Sequence, residues 1–124
     1  MGNPYEKYKN NSIFTASKEE LTLMLYDGAL KFCNQAEIAI ENSDAKKANE
    51  LILRVQDIIQ EFQITLDNKY EISHQLNDLY IYIHSRLVDA NMKKDKEILI
   101  DAKNMIRELR DTWKEAMRKY KAGE

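Results

Sequence analysis

The chain has 124 residues, a net charge of -2 at pH 7, one cysteine, three glycines and one proline, a size suited to one domain with its own core. Nearly balanced charge argues against a nucleic-acid or anionic-membrane binder, which needs a basic excess. The lone Cys33 rules out an intramolecular disulfide and fits a reducing compartment.

Polar Met1 to Lys9 lacks the apolar stretch of a signal peptide, and no apolar run reaches the roughly 18 residues of a membrane span. A cytoplasmic protein with no membrane insertion is the expectation. Pro4 opens a short helical segment to Asn10 that sets Tyr5 and Tyr8 on one face, within an N-terminal cap segment of residues 1–16. Ser17 and Glu20 form a capping-box pattern at the start of a first helix, Lys18 to Glu41. Its expected core stripe is Leu21, Leu25, Gly28, Phe32, Ala36 and Ala39. Asn42-Ser43-Asp44 reads as a turn that ends in the N-cap of a second helix.

That second helix places Ala48, Leu51, Ile52, Val55, Ile58, Ile59, Phe62 and Leu66 on one face, and Asp67-Asn68-Lys69 breaks it. The third aligns Ile72, Leu76, Leu79, Tyr80, Ile83, Leu87 and Ala90 before Lys93-Lys94-Asp95. The fourth, with Asp95 as its cap, aligns Ile98, Ala102, Met105, Ile106, Leu109, Trp113, Ala116 and Tyr120. Arg118, Lys119 and Lys121 suit its C-terminal dipole. Spacings of i, i+3, i+4 and i+7 define helices. Four of them on short loops predict an all-α, antiparallel up-down four-helix bundle over residues 17–121, with 122–124 as a tail.

More apolar residues are present than these stripes use. Helical spacing groups Leu23, Tyr26 and Leu30 opposite the expected core stripe of the first helix. Ile81 and Val88 lie off the stripe of the third helix, Leu53 and Ile64 off the second, and Ile100 off the fourth. Taken singly, Leu53, Ile64 and Ile100 are equally well read as ordinary surface hydrophobes. Leu23, Tyr26 and Leu30 share one stripe and read as a covered or partner-binding surface.

Nothing in the pattern calls for catalysis, a metal or a cofactor. Glu71 and His74 make one Glu-x-x-His pair, but a di-iron bundle needs two such pairs and further glutamates. His84 leaves open a phosphotransfer bundle, and the outer apolar stripes leave open a structural helix-bundle oligomer. Cys33, Trp113 and the methionines Met24, Met105 and Met117 read as packing.

Several blocks together resemble one family. They are Asn3-Pro4-Tyr5 with Tyr8, Thr15-Ala16-Ser17, Glu20 to Ala29, Leu79-Tyr80-Ile81-Tyr82, Arg86-Leu87, Ala90-Asn91, and Leu109 to Ala116. In that order and spacing they resemble the flagellin-specific export chaperones, the FliS family, over almost the whole chain. Lys18 stands where that family usually has proline. The resemblance implies a non-enzymatic cytoplasmic bundle that binds the disordered C-terminal segment of flagellin, prevents early polymerisation and aids delivery to an export-gate protein. It further implies that Tyr5 and Tyr8 form a displaceable cover or an export-gate docking element. Leu23, Tyr26, Leu30, Ile81 and Val88 are the expected partner-binding residues, with the free oligomeric state left open.

Overall fold

The four predicted helices form, three of them where their caps place them. The structure, a computed structural model, describes residues 17–69 and 72–121, with side chains of the last helix through Lys119. The helices are α1 (Lys18–Glu41), α2 (Ala45–Thr65), α3 (Ile72–Lys93) and α4 (Lys96–Lys121). The predicted turn with Tyr5 and Tyr8, and the 122–124 tail, lie outside the described residues.

Each of three helices begins on a side-chain oxygen that satisfies a free amide. Ser17 Oγ accepts from the Glu20 N–H at 3.1 Å, so α1 starts without a proline at position 18. Asp44 Oδ1 accepts from Lys47 N–H at 3.1 Å. Asp95 Oδ1 accepts from Glu97 and Ile98 at 2.9 and 3.3 Å.

The α1–α2 and α3–α4 loops are built alike. Ser43 and Lys94 have φ values of 57° and 51°, the left-handed region in which glycine is preferred. The following aspartate N–H reaches back to Ala39 O at 2.8 Å and to Ala90 O at 3.0 Å, while Ser43 N–H reaches Ile40 O at 3.0 Å. This is the Schellman closure of a helix C-terminus. Lys94 adds its own support, with Nζ donating to the Asn91 carbonyl and Oδ1 at 2.5 and 2.7 Å. In both loops one aspartate closes the outgoing helix and caps the incoming one.

Cross-helix pairs fix the antiparallel order. Moving forward along α4, Lys96, Lys103 and Arg110 bind Glu41, Glu37 and Asp27 of α1, at 2.6, 2.6 and 2.8 Å. Trp113 Nε1 continues the series by donating to the Glu19 carbonyl at 3.0 Å. Asn91 with Asn49 and His84 with Gln60 give α2 and α3 the same reversed register. Each helix packs against its neighbours in sequence, and α4 closes the ring on α1.

The core contains Ala48, Leu51, Ile52, Val55, Ile59 and Phe62 of α2 and Tyr80, Ile83, Leu87 and Ala90 of α3, as their spacing predicts. Ile72, also assigned to the α3 stripe, is instead 60% exposed. In α4, Leu99, Ala102 and Ile106 are buried, Ile98 and Met105 are packed beside them, and Ala116 is exposed.

The face of α1 differs from the expectation. Its buried residues are Tyr26, Ala29, Leu30, Cys33, Ala36 and Ala39, while Leu25 is exposed and Gly28 half-buried. From Tyr26 to Cys33 the core stripe is therefore turned by about one residue, or roughly 100°, and it meets the expected stripe again at Ala36 and Ala39. Apolar residues surround the first turns of α1 on nearly every side, so periodicity alone does not choose a face. Close helix packing does, and it selects the small side chains Ala29, Cys33, Ala36 and Ala39.

Candidate partner-binding surface

On the outer side of α2 and α3, a polar floor lies beneath apolar rims. Asn91 Nδ2 donates to Asn49 Oδ1 at 2.8 Å, and the Gln60 amide nitrogen sits 3.3 Å from His84 Nε2. This register brings Ile64 alongside Ile81, and Leu53 alongside Val88 and Met92. Ile64, Ile81 and Met92 are 77%, 52% and 80% exposed. Leu53 is also exposed and Val88 half-buried. Large apolar side chains thus stand at either end of about three turns of each helix, with Gln60 and His84 between them.

This geometry separates the expected partner-binding residues. Ile81 and Val88 lie together on the α2–α3 face. Tyr26 and Leu30 do not belong to an outer surface: they are 4% and 7% exposed and sit in the core, and Leu23 beside them is half-buried. The rotation of α1 that buries this stripe is also what exposes Met24 and Leu25. Met92 escaped the sequence reading although it follows Val88 by one helical turn, the spacing that marks a shared face.

Tyr26 has a structural place instead. Its ring lies 4.4 Å from that of Phe62, which is 5.7 Å from Tyr80, and the two tyrosine hydroxyls meet at 3.1 Å. Burial pushes both phenols above their ordinary value, and for Tyr26 the bond to Tyr80 adds to the rise. Beyond this aromatic layer, toward the start of α1 and the end of α4, Ser73 is the only fully buried side chain among the described residues. An open depression of about 480 Å³ there is lined by Asp111, Thr112, Glu115, Ala116 and Lys119 of α4.

Among the described residues, the contacts on these faces are packing, hydrogen bonds and ion pairs. Cys33 is fully buried, and its thiol is pushed up to about 12, first by burial and then by Glu37, with Lys103 opposing. A thiol held protonated is a poor nucleophile. No group of three or more histidine, cysteine, aspartate or glutamate side chains is arranged to hold a metal ion among the described residues. His84 is half-buried on the α2–α3 face, and Glu71, the partner of His74 in the sequence pattern, lies outside the described residues. No helix among the described residues is long and apolar enough to cross a membrane.

Known proteins resemble this chain along nearly its full length. The family described as flagellar protein FliS matches residues 1–120. A flagellar secretion chaperone FliS of Bacillus subtilis is 44% identical over 115 residues, covering 93% of this chain and 86% of the relative. The protein of the same name from Campylobacter jejuni is 31% identical over 113 residues, covering 90% and 88%. That from Escherichia coli is 26% identical, covering 86% and 81%. With a family match spanning the helices and the surface they carry, the chain belongs to the FliS family of flagellar secretion chaperones.

Proposed function

We propose that this protein is a cytoplasmic, non-enzymatic export chaperone that holds the disordered C-terminal segment of flagellin, keeps it from polymerising early and helps bring it to the export gate. The carrying observation is the exposed apolar row of Leu53, Ile64, Ile81 and Met92 across α2 and α3. A self-sufficient bundle would place charges at these positions, because large apolar side chains grouped on one face promote association. An amphipathic segment that cannot bury its own apolar face stays disordered when free. Laid against this row it can fold as a helix in a groove, while Asn49, Gln60, His84 and Asn91 supply hydrogen bonds at the floor. Tyr5 and Tyr8 are proposed as the displaceable cover or gate-docking element of the N-terminal segment. Nothing in this action requires a cofactor or a covalent step.

The test is calorimetric titration with a peptide of the flagellin C-terminal segment. Wild type should bind with a negative heat-capacity change, the mark of apolar burial. Leu53→Asp/Ile81→Asp alters exposed positions only and should keep its melting temperature while losing affinity. Equal binding by the folded double variant removes this face from the proposal. A dimer in light scattering that the same substitutions dissolve would assign the face to self-association instead.

A further inference from the structure

We infer that the guest helix lying along α2 and α3 presents uncharged amide or hydroxyl side chains to the seam between them, and that Gln56 selects them. This rests on the chaperone reading above and names the chemistry of the guest at that same face. Gln56 follows Leu53 by three residues and precedes Gln60 by four, the spacing of one shared face. Its Oε1 is buried and has no hydrogen-bond partner, the one such side-chain atom among the described residues. Buried acceptors are nearly always paired, and one left without a donor destabilises the fold. The free protein bears that penalty; a guest that brings a donor removes it. Gln56 is half-buried as a residue, so a modest rotation about its side-chain bonds brings the amide to the edge of the seam.

The rest of the seam excludes the charged alternatives. From Asn49 to Ile64 on α2, and from Ile81 to Asn91 on α3, the facing stripes hold no aspartate, glutamate, lysine or arginine. Asp57 and Asp89 stand outside those stripes by helical spacing. The seam between α1 and α4 is the opposite, closed by the pairs Lys96–Glu41, Lys103–Glu37 and Arg110–Asp27. Asn49 Oδ1 accepts from Asn91, and the Gln60 amide nitrogen donates to His84 Nε2. The Asn49 amide nitrogen and the Gln60 carbonyl oxygen have no protein partner among the described residues. The seam therefore offers a donor at Asn49 and acceptors at Gln56 and Gln60. A guest carboxylate has no hydrogen for the two acceptors, and a guest ammonium or guanidinium cannot accept from Asn49. Either charge would also leave water between apolar rims with no counter-charge facing it. Side-chain amides and hydroxyls both donate and accept, and they match.

The test titrates the full chain with a synthetic peptide of the flagellin C-terminal segment by calorimetry, with a thermal melt of each variant. Gln56→Met keeps length and bulk but deletes the orphaned acceptor. It should melt at or above the wild-type temperature and yet bind about fivefold more weakly. A role in folding alone would not move the two in opposite directions. Gln60→Glu, which sets a charge in the seam, should weaken binding about tenfold. Replacing the peptide's asparagines, glutamines, serines and threonines singly by alanine should find at least one that weakens binding to wild type and costs Gln56→Met nothing further. Binding by Gln56→Met within about twofold of wild type, the result expected if Oε1 merely holds an ordered water, overturns the inference. Peptide substitutions that cost both proteins equally overturn it too. Should Gln56→Met melt lower, the peptide series is read with the exposed Gln60→Met, and equal costs there are equally fatal. In each of these cases loss of binding in Leu53→Asp/Ile81→Asp shows that the chaperone reading stands. A wild-type protein that ignores the peptide defeats both.

Discussion

Removing one hydroxyl from the Tyr26–Tyr80 pair should cost more than removing both. The two residues are 4% and 5% exposed, and each hydroxyl has the other as its partner at 3.1 Å. Tyr26→Phe leaves the Tyr80 hydroxyl buried without a hydrogen bond, and Tyr80→Phe does the same to Tyr26. An orphaned buried polar group costs about 1–3 kcal/mol, so about 1.5 kcal/mol for each variant is expected. Simple addition would then give about 3 kcal/mol for the pair. The double variant instead keeps the stacked ring volumes around Phe62 and removes both desolvated groups, which is close to neutral, about 0–1 kcal/mol. The coupling is therefore about 2–3 kcal/mol. With a urea dependence of about 1.5 kcal/mol per molar, each single variant should unfold about 1 M earlier, and the double variant within about 0.7 M of wild type. Urea melts read by Trp113 fluorescence and by circular dichroism give all four values. If the double variant loses the sum of the single losses, the hydroxyls do not depend on each other and the buried bond is wrongly assigned.

Alkaline unfolding should begin with Cys33. Its thiol rises from 9.0 to about 12 on folding, so its contribution is complete below pH 9 and is lost as pH climbs toward 12, at about 1.4 kcal/mol per pH unit. Cys33→Ala should flatten the loss between pH 9 and 10 in urea melts, ahead of the two raised tyrosines; an unchanged slope rejects this account. Asp95→Ala removes the α4 cap and should lower stability by about 1 kcal/mol in the same melts. Ser43→Gly should raise it by about 0.5–1 kcal/mol by relieving the left-handed residue. Lys94→Gly should gain less, because it also deletes the two bonds to Asn91.

The caps at Ser17, Asp44 and Asp95 were legible because a short polar side chain before an apolar period leaves few alternatives. The core of α2 was legible because its apolar and charged residues occupy opposite faces. In α1 the signal fails: Leu21, Leu23, Met24, Leu25 and Tyr26 crowd its first turns, and several rotations bury a comparable area. Which one wins depends on how closely Ala29, Cys33 and Ala36 let the neighbours approach, a tertiary fact that spacing cannot carry. Half of the candidate surface went astray for that reason. Ile81 and Val88 stood on a helix whose core from Tyr80 to Ala90 was correctly assigned, whereas Tyr26 and Leu30 inherited the error of α1. Leu99, fully buried beside the expected Ile98, shows the same one-residue slip on a smaller scale.

The two ends of the bundle are held very differently. At one, a pair of matching aspartate-closed turns and a layer of alanines clamp all four helices. At the other, Ile106 is the last buried residue of α4 among the described side chains, which leaves about 22 Å of that helix leaning on half-covered contacts such as the Trp113 strut. Backbone amides past Ile106 therefore exchange with solvent through a local, inexpensive fraying rather than global unfolding.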